Sequence, residues 1–116
     1  MTEYIIALVI IICVIGLFFV IKNYMFPKLD IVGSSMFPTL IDGERKKSRR
    51  FFNRFESPKI GIIYVYRDPT NKLVIKRLKM VYNDLCYFVG DNPTVSYDCR
   101  YYGFIDKKRI VALLME

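Results

Sequence analysis

Two hydroxyls, Ser34 and Ser35, stand in GSSMFPTL (Gly33 to Leu40), where a glycine and a proline follow a short strand candidate. A segment of this kind can present a side chain at a sharp, exposed bend with backbone N–H groups beside it. By itself it is also compatible with a plain turn. A serine nucleophile needs a base, and the chain has no histidine. Ser-His-Asp and Cys-His activation, histidine-ligated zinc and a histidine pH switch are therefore excluded. The base that remains is a lysine whose amine has been neutralised.

Lys76 suits that task better than the other lysines. It lies in LVIKRL (Leu73 to Leu78), where period-two alternation puts Val74, Lys76 and Leu78 on one face and Ile75 and Arg77 on the other. Burial among apolar neighbours disfavours an ammonium and lowers its pKa. A free amine can then take a hydroxyl proton. The other reading, a lysine facing solvent from an edge strand, stays open on these residues alone.

A third polar cluster runs from Gly90-Asp91-Asn92 through Ser96-Tyr97-Asp98-Cys99-Arg100 to Gly103. Asp and Asn can hold a turn through side-chain to backbone bonds. Asp98 has Arg100 or Arg77 as a partner, and Ser96 has a hydroxyl for a neutral amine. A polar loop accounts for the same residues.

These residues must be held by a small body. The chain has 116 residues and a net charge of +7 from 18 basic and 11 acidic side chains; its 53% apolar fraction is too high for a disordered basic tail. Three cysteines make neither a four-Cys zinc site nor a disulfide framework. Tyr4 to Ile21 carries no charge and is apolar all round, so it is not an amphipathic surface helix. As a helix it rises about 27 Å, close to the roughly 30 Å hydrocarbon core. A cleaved signal would want a basic start and a small-residue cleavage site, whereas Glu3 precedes the run and Asn23-Tyr24-Met25-Phe26 follows it. The expected division is a short tail (1–3), a transmembrane helix (4–21) and a folded domain (22–116).

Within the domain, strands are expected at Leu29–Val32, Ile60–Tyr66, Lys72–Val81, Leu85–Val89 and Ile110–Leu114. Asn83-Asp84 joins the third and fourth as a hairpin turn, and Gly90-Asp91-Asn92-Pro93 is a loop. The fold class expected is mostly β: a single N-terminal membrane helix followed by a compact antiparallel, barrel-like sheet domain. The basic run 44–54 (ERKKSRRFFNR) reads either as a solvated face or as a membrane contact. The second is the reading expected here: its charges meet anionic headgroups while Phe51 and Phe52 insert.

Taken in order, an N-terminal anchor, SMFPTL (Ser35–Leu40), Lys76-Arg77, and GDN with SYDCR and Gly103 resemble the type I signal peptidases, membrane-anchored serine proteases that remove signal peptides. The resemblance implies a nucleophile at Ser35, a general base at Lys76 and an oxyanion site at the Ser35 backbone N–H. It implies that Ser96 positions the lysine amine, and that Asp98, Arg100 and Arg77 form a supporting ion-pair network. By position, Ile31, Met36 and Ile75 line shallow pockets for small substrate residues at −1 and −3. The partners implied are signal-peptide-bearing precursors and a phospholipid bilayer, with no cofactor, no metal and no nucleic acid, and with the domain on the extracytoplasmic face of the cell membrane.

The chain departs from the family pattern in places. Gly33 stands where some members carry a second oxyanion hydroxyl, Cys99 where they carry a serine, and Leu78–Val89 is only a short hairpin. ERKKSRR replaces the alternating apolar residues usual after the serine box, which puts strand pairing there in doubt. A catalytically weak or specialised relative, acting on few substrates or as a binding factor, is the alternative, although Ser35 and Lys76 are both intact. A basic domain that binds acidic surfaces or nucleic acid would explain the charge but not the ordered motifs. Cys86 and Cys99 stay open as free thiols or as a pair.

Overall fold

The computed structural model describes residues 1–115. In chain order the elements are α1 (Thr2–Met25), β1 (Lys28–Asp30), β2 (Arg45–Arg50), β3 (Ile63–Arg67), β4 (Leu73–Tyr82), β5 (Leu85–Val89), α2 (Cys99–Tyr102), β6 (Ile105–Asp106), a 3-10 turn (Lys107–Arg109) and β7 (Ile110–Leu114). Helix α1 outruns the apolar run at both ends. Glu3 in its first turn and Lys22 in its last complement the helix dipole. Nothing breaks the helix until Pro27, which disfavours helical geometry at Phe26. No residue of α1 is buried by the rest of the chain, and it is long and apolar enough to cross a membrane.

The strands form a seven-stranded sheet in the order β1-β2-β7-β3-β4-β5-β6, antiparallel at every pairing. The mostly-β domain behind an apolar helix is therefore the architecture found. The β4–β5 hairpin turns at Asn83, whose φ of 53° suits an asparagine. Strand β3 starts later than the apolar pattern suggests, because Gly61, at φ +93°, bends the chain first. Strand β1 stops at Asp30, short of Val32.

The basic run is the clearest correction. Strand pairing does occur there: Lys28–Asp30 pair with Arg45–Lys47, and Ser48–Arg50 pair with Ala112–Leu114. A backbone ladder is indifferent to side-chain charge, and long basic stems can lie along the sheet with their heads in water. Acidic neighbours offset the like charges: Asp30 meets Arg45 at 3.0 Å, Glu44 meets Lys46 at 3.2 Å and Glu56 meets Arg49 at 2.8 Å. Phe51 does not face a membrane. It is buried in the main core and meets Tyr64 edge-to-face at 5.6 Å. The exposed aromatic nearby is Phe55.

Alternation along β3 divides the interior. Tyr64 and Tyr66 join Phe51, Leu78, Phe88, Cys99, Ile105 and Ile110 on one face, whereas Ile63 joins Ile31, Met36 and Leu40 on the other. Cys86 and Cys99 are both buried and free. Phe51→Ala should lower unfolding stability by about 3–5 kcal/mol. Phe55→Ala should stay within about 0.5 kcal/mol. Denaturant titration of the detergent-solubilised protein checks both.

Candidate active site

Ser35 stands four residues past Ile31, the last residue that the neighbouring turn holds in strand-like register: Ile31 N–H donates to the Glu44 carbonyl at 2.8 Å, and Gly43 N–H to the Ile31 carbonyl at 2.8 Å. The chain reverses at Gly33, whose φ of +85° favours glycine and whose N–H donates to Asp42 at 2.8 Å. Ser35 then enters a turn closed by Leu40 N–H on the Met36 carbonyl at 2.9 Å. Met36 and Leu40 pack inward with Ile31 and Ile63 and pin the turn from below. Ser35 is left half-buried. Among the described residues, its backbone N–H has no acceptor.

Lys76 comes from the middle of β4, opposite Tyr64. It is only 5% exposed, and its Nζ lies 2.7 Å from Ser35 Oγ. Burial drives its amine below the ordinary lysine value; Asp98 pulls the other way, and Arg100 and Lys72 add to the lowering. Between the two sequence readings of this lysine, the structure takes the buried one. A neutral amine at this distance can accept the hydroxyl proton.

Loop Gly90–Asn92 docks on the serine turn. Asn92 N–H donates to the Ser35 carbonyl at 2.8 Å, and the Asn92 amide donates to the Ser34 carbonyl at 3.1 Å. The Thr39 hydroxyl donates to Asp91 at 2.5 Å. Gly90 allows this approach: a Cβ there would collide with Ser96 Oγ and come within 2.6 Å of the Ser35 carbonyl oxygen. Gly90, Asp91, Asn92 and Thr39 are thus neighbours of the site whose contacts the sequence did not assign. The GDN motif marked three of them as a loop, but its partner lies more than fifty residues away in the chain.

Asp98 is fully buried. It receives Ser96 Oγ at 2.6 Å, Gly90 N–H at 2.8 Å, and Arg100 through Nε at 2.9 Å and an Nη at 2.7 Å. Burial pushes this carboxyl up, but the bonds from Arg100, Ser96 and the backbone outweigh it and hold the group well below the usual carboxylate range. The Ser96 hydroxyl places its proton on Asp98. Arg77 forms a two-pronged pair with Asp91 at 2.9 and 2.7 Å. Alternation sends Arg77 to the sheet face opposite Lys76. Asp98 also caps α2, the single helical turn inside SYDCR.

A groove of about 430 Å³ is lined by Ser35, Lys76, Ile31, Met36, Ile75, Val95 and Tyr97. Its walls are two unpaired strand edges. β1 is the outermost strand, and β5 pairs with β4 only from Arg77 onward, which leaves Leu73–Lys76 open on that side.

A serine hydroxyl thus stands against a buried lysine amine at the mouth of a groove walled by open strand edges, in a β domain behind an apolar helix. The class is a membrane-associated peptidase. Residues 1–81 match the family model described as signal peptidase, peptidase S26, and the chain belongs to that family. Comparison with curated proteins found no match.

Lys76→Met should show the desolvation directly. Above the ordinary lysine value of 10.5 the amine is neutral in both folded and unfolded chains, and burying it carries no proton penalty. As pH falls, the unfolded chain takes up the proton first, so wild type loses stability until pH drops below the folded value. The stability advantage of Lys76→Met over wild type should therefore grow from about pH 11 toward neutrality, as read from denaturant midpoints.

Proposed function

We propose that the chain is an endopeptidase that removes N-terminal signal peptides from exported precursors through a Ser35–Lys76 dyad. The observation that carries this reading is the 2.7 Å approach of a buried lysine amine to a serine hydroxyl on a groove of about 430 Å³. The family's signal-peptidase character supports the substrate class.

The substrate enters extended and adds as a strand between Leu29–Val32 and Leu73–Lys76, taking main-chain hydrogen bonds from both edges. Ile31, Met36 and Ile75 face the groove and limit the residues at −1 and −3 to small ones. Ser35 Oγ attacks the scissile carbonyl carbon while its proton passes to Lys76 Nζ. The oxyanion formed lies against the Ser35 N–H. Lys76 returns the proton to the leaving amine, and the C–N bond breaks. A water then gives a proton to Lys76 as its oxygen attacks the acyl carbon; the C–Oγ bond breaks, Lys76 passes that proton to Ser35 Oγ, and the signal peptide leaves as its carboxylic acid, which ionises in solvent.

Ser96 and Asp98 act as positioning residues. Together with Gly90 they hold the loop that braces the Ser35 carbonyl, and Arg100 occupies the carboxylate that would otherwise favour a charged lysine. Arg77 acts at one remove, by holding Asp91 against Thr39. The catalytic domain comprises the residues after Met25 and stands on the extracytoplasmic side, where signal peptides emerge. Confinement of enzyme and precursor to one bilayer raises their effective concentration.

In lipid vesicles, wild type should process a precursor with an Ala-x-Ala site. Ser35→Ala and Lys76→Ala should each lose at least about 10³-fold in kcat/KM, and wild-type rate in Lys76→Ala would remove the base assignment. Arg100→Gln should shift the acidic limb of the pH–rate profile upward, because one of the groups that oppose the pull of Asp98 on the lysine's proton is then gone. A fall in rate with no shift of that limb would mean that Arg100 serves the fold alone.

A further inference from the structure

The last carbonyls of a helix have no partner within it, and the end of α1 is bound by the domain. Arg50 Nε donates to the Tyr24 carbonyl at 2.7 Å, and the guanidinium carbon of the same side chain lies 3.9 Å from the centroid of the Tyr24 ring. A cation at a helix C-terminus is favourable in itself, and the ring contact fixes its direction as well as its distance. One turn further on, the Pro27 carbonyl accepts both the backbone N–H and the hydroxyl of Ser48, a residue only 1% exposed. The β1–β2 ladder follows at once, and then the Ile31 bonds to Glu44 and Gly43. Between the helix and Ser35, Phe26 and Val32–Ser34 lie outside this ladder; Phe26 N–H bonds the Lys22 carbonyl, Gly33 N–H bonds Asp42, and the Ser34 carbonyl accepts from Asn92. Ser48–Arg50 also pair with β7, which carries the attachment into the centre of the sheet.

This joint matters for a bilayer enzyme. A flexible tether of the same nine residues, 26–34, would let Ser35 range over about 16 Å, the length of roughly five residues of an extended substrate. We propose that Arg50 and Ser48 lock the membrane helix to the catalytic domain and so fix the height above the bilayer at which a peptide bond can be cut. Arg50 is then a specificity-determining residue for a membrane-embedded precursor: it sets the permitted spacing between the substrate's apolar segment and its scissile bond. The inference rests on the peptidase reading of Ser35 and Lys76.

The test uses the full chain in phosphatidylcholine–phosphatidylglycerol vesicles and a ladder of precursors whose Ala-x-Ala site steps outward from the apolar segment. Wild type should cut within a narrow window. Arg50→Ala and Tyr24→Leu should widen it, raising off-optimum cleavage relative to the optimum by about five- to tenfold, while cleavage of a short soluble peptide stays as in wild type. Spin labels at the exposed native Cys13 and at Lys108→Cys give an independent readout, because Cys86 and Cys99 are buried. The distance distribution should be narrow in wild type and broad in Arg50→Ala. A wild-type window in both variants, with cleavage still abolished by Ser35→Ala, overturns the height-setting role and leaves the dyad standing. A narrow distribution in Arg50→Ala overturns the lock. No cleavage of any precursor by wild type overturns the peptidase reading, and the height-setting role with it.

Discussion

An uncharged lysine amine can persist near neutral pH only where water is scarce and no carboxylate is free to favour its proton. The surroundings of Lys76 lower its affinity for a proton in this sense. Lys76 gains its dryness from the middle of a ten-residue strand with Leu78 on the same face. The one carboxylate that acts on it strongly, Asp98, is saturated by Arg100, Ser96 and two backbone N–H groups. The arrangement keeps a fully buried negative charge useful as a structural hub while limiting its pull on the amine. Without Arg100, the pull of the same carboxylate on the lysine's proton would be less opposed.

The serine side is held by packing below and by a loop above. Met36 and Leu40 sink into the smaller core cluster, which sets the height of the turn. Loop Gly90–Asn92 then donates to the carbonyls of both Ser34 and Ser35, which fixes the backbone of the serine turn. Gly90 is needed because the loop, Ser96 and the serine turn converge on the space that a Cβ would fill. Two polar layers thus meet at one glycine. The Asp91–Arg77 pair secures the loop from the opposite face of β4.

Much of this was legible locally. Alternation in LVIKRL assigned Lys76 to a face with Val74 and Leu78, and that face is buried. The hairpin at Asn83-Asp84 and the last strand, Ile110–Leu114, were set by turn chemistry and β-branched runs. The charge run was not legible, because seven polar residues carry no apolar period. Arg45–Arg50 becomes a strand through its neighbours β1 and β7, and local charge says nothing about either. Phe51 sits beside Arg50 in sequence, yet it belongs to the core, since the strand direction carries it under Tyr64. The pairing of Arg77 with Asp91 was hidden for a related reason. Residue spacing counts candidate partners, whereas the sheet decides which face each one reaches.

By composition alone, this chain had to carry an apolar helix long enough for a bilayer, and any serine chemistry had to run without histidine. Those outcomes follow from residue types, which no fold can alter. Alternation and turn residues determined most of the strand list, because both act over a few neighbours. The distance between positions 35 and 76, the docking of a distant loop on the serine turn, and the seating of the helix end on Arg50 were decided by tertiary structure. Each joins segments that meet only when seven strands take one order and one register. No local pattern holds that information, because the free energy that selects it is shared across the whole sheet.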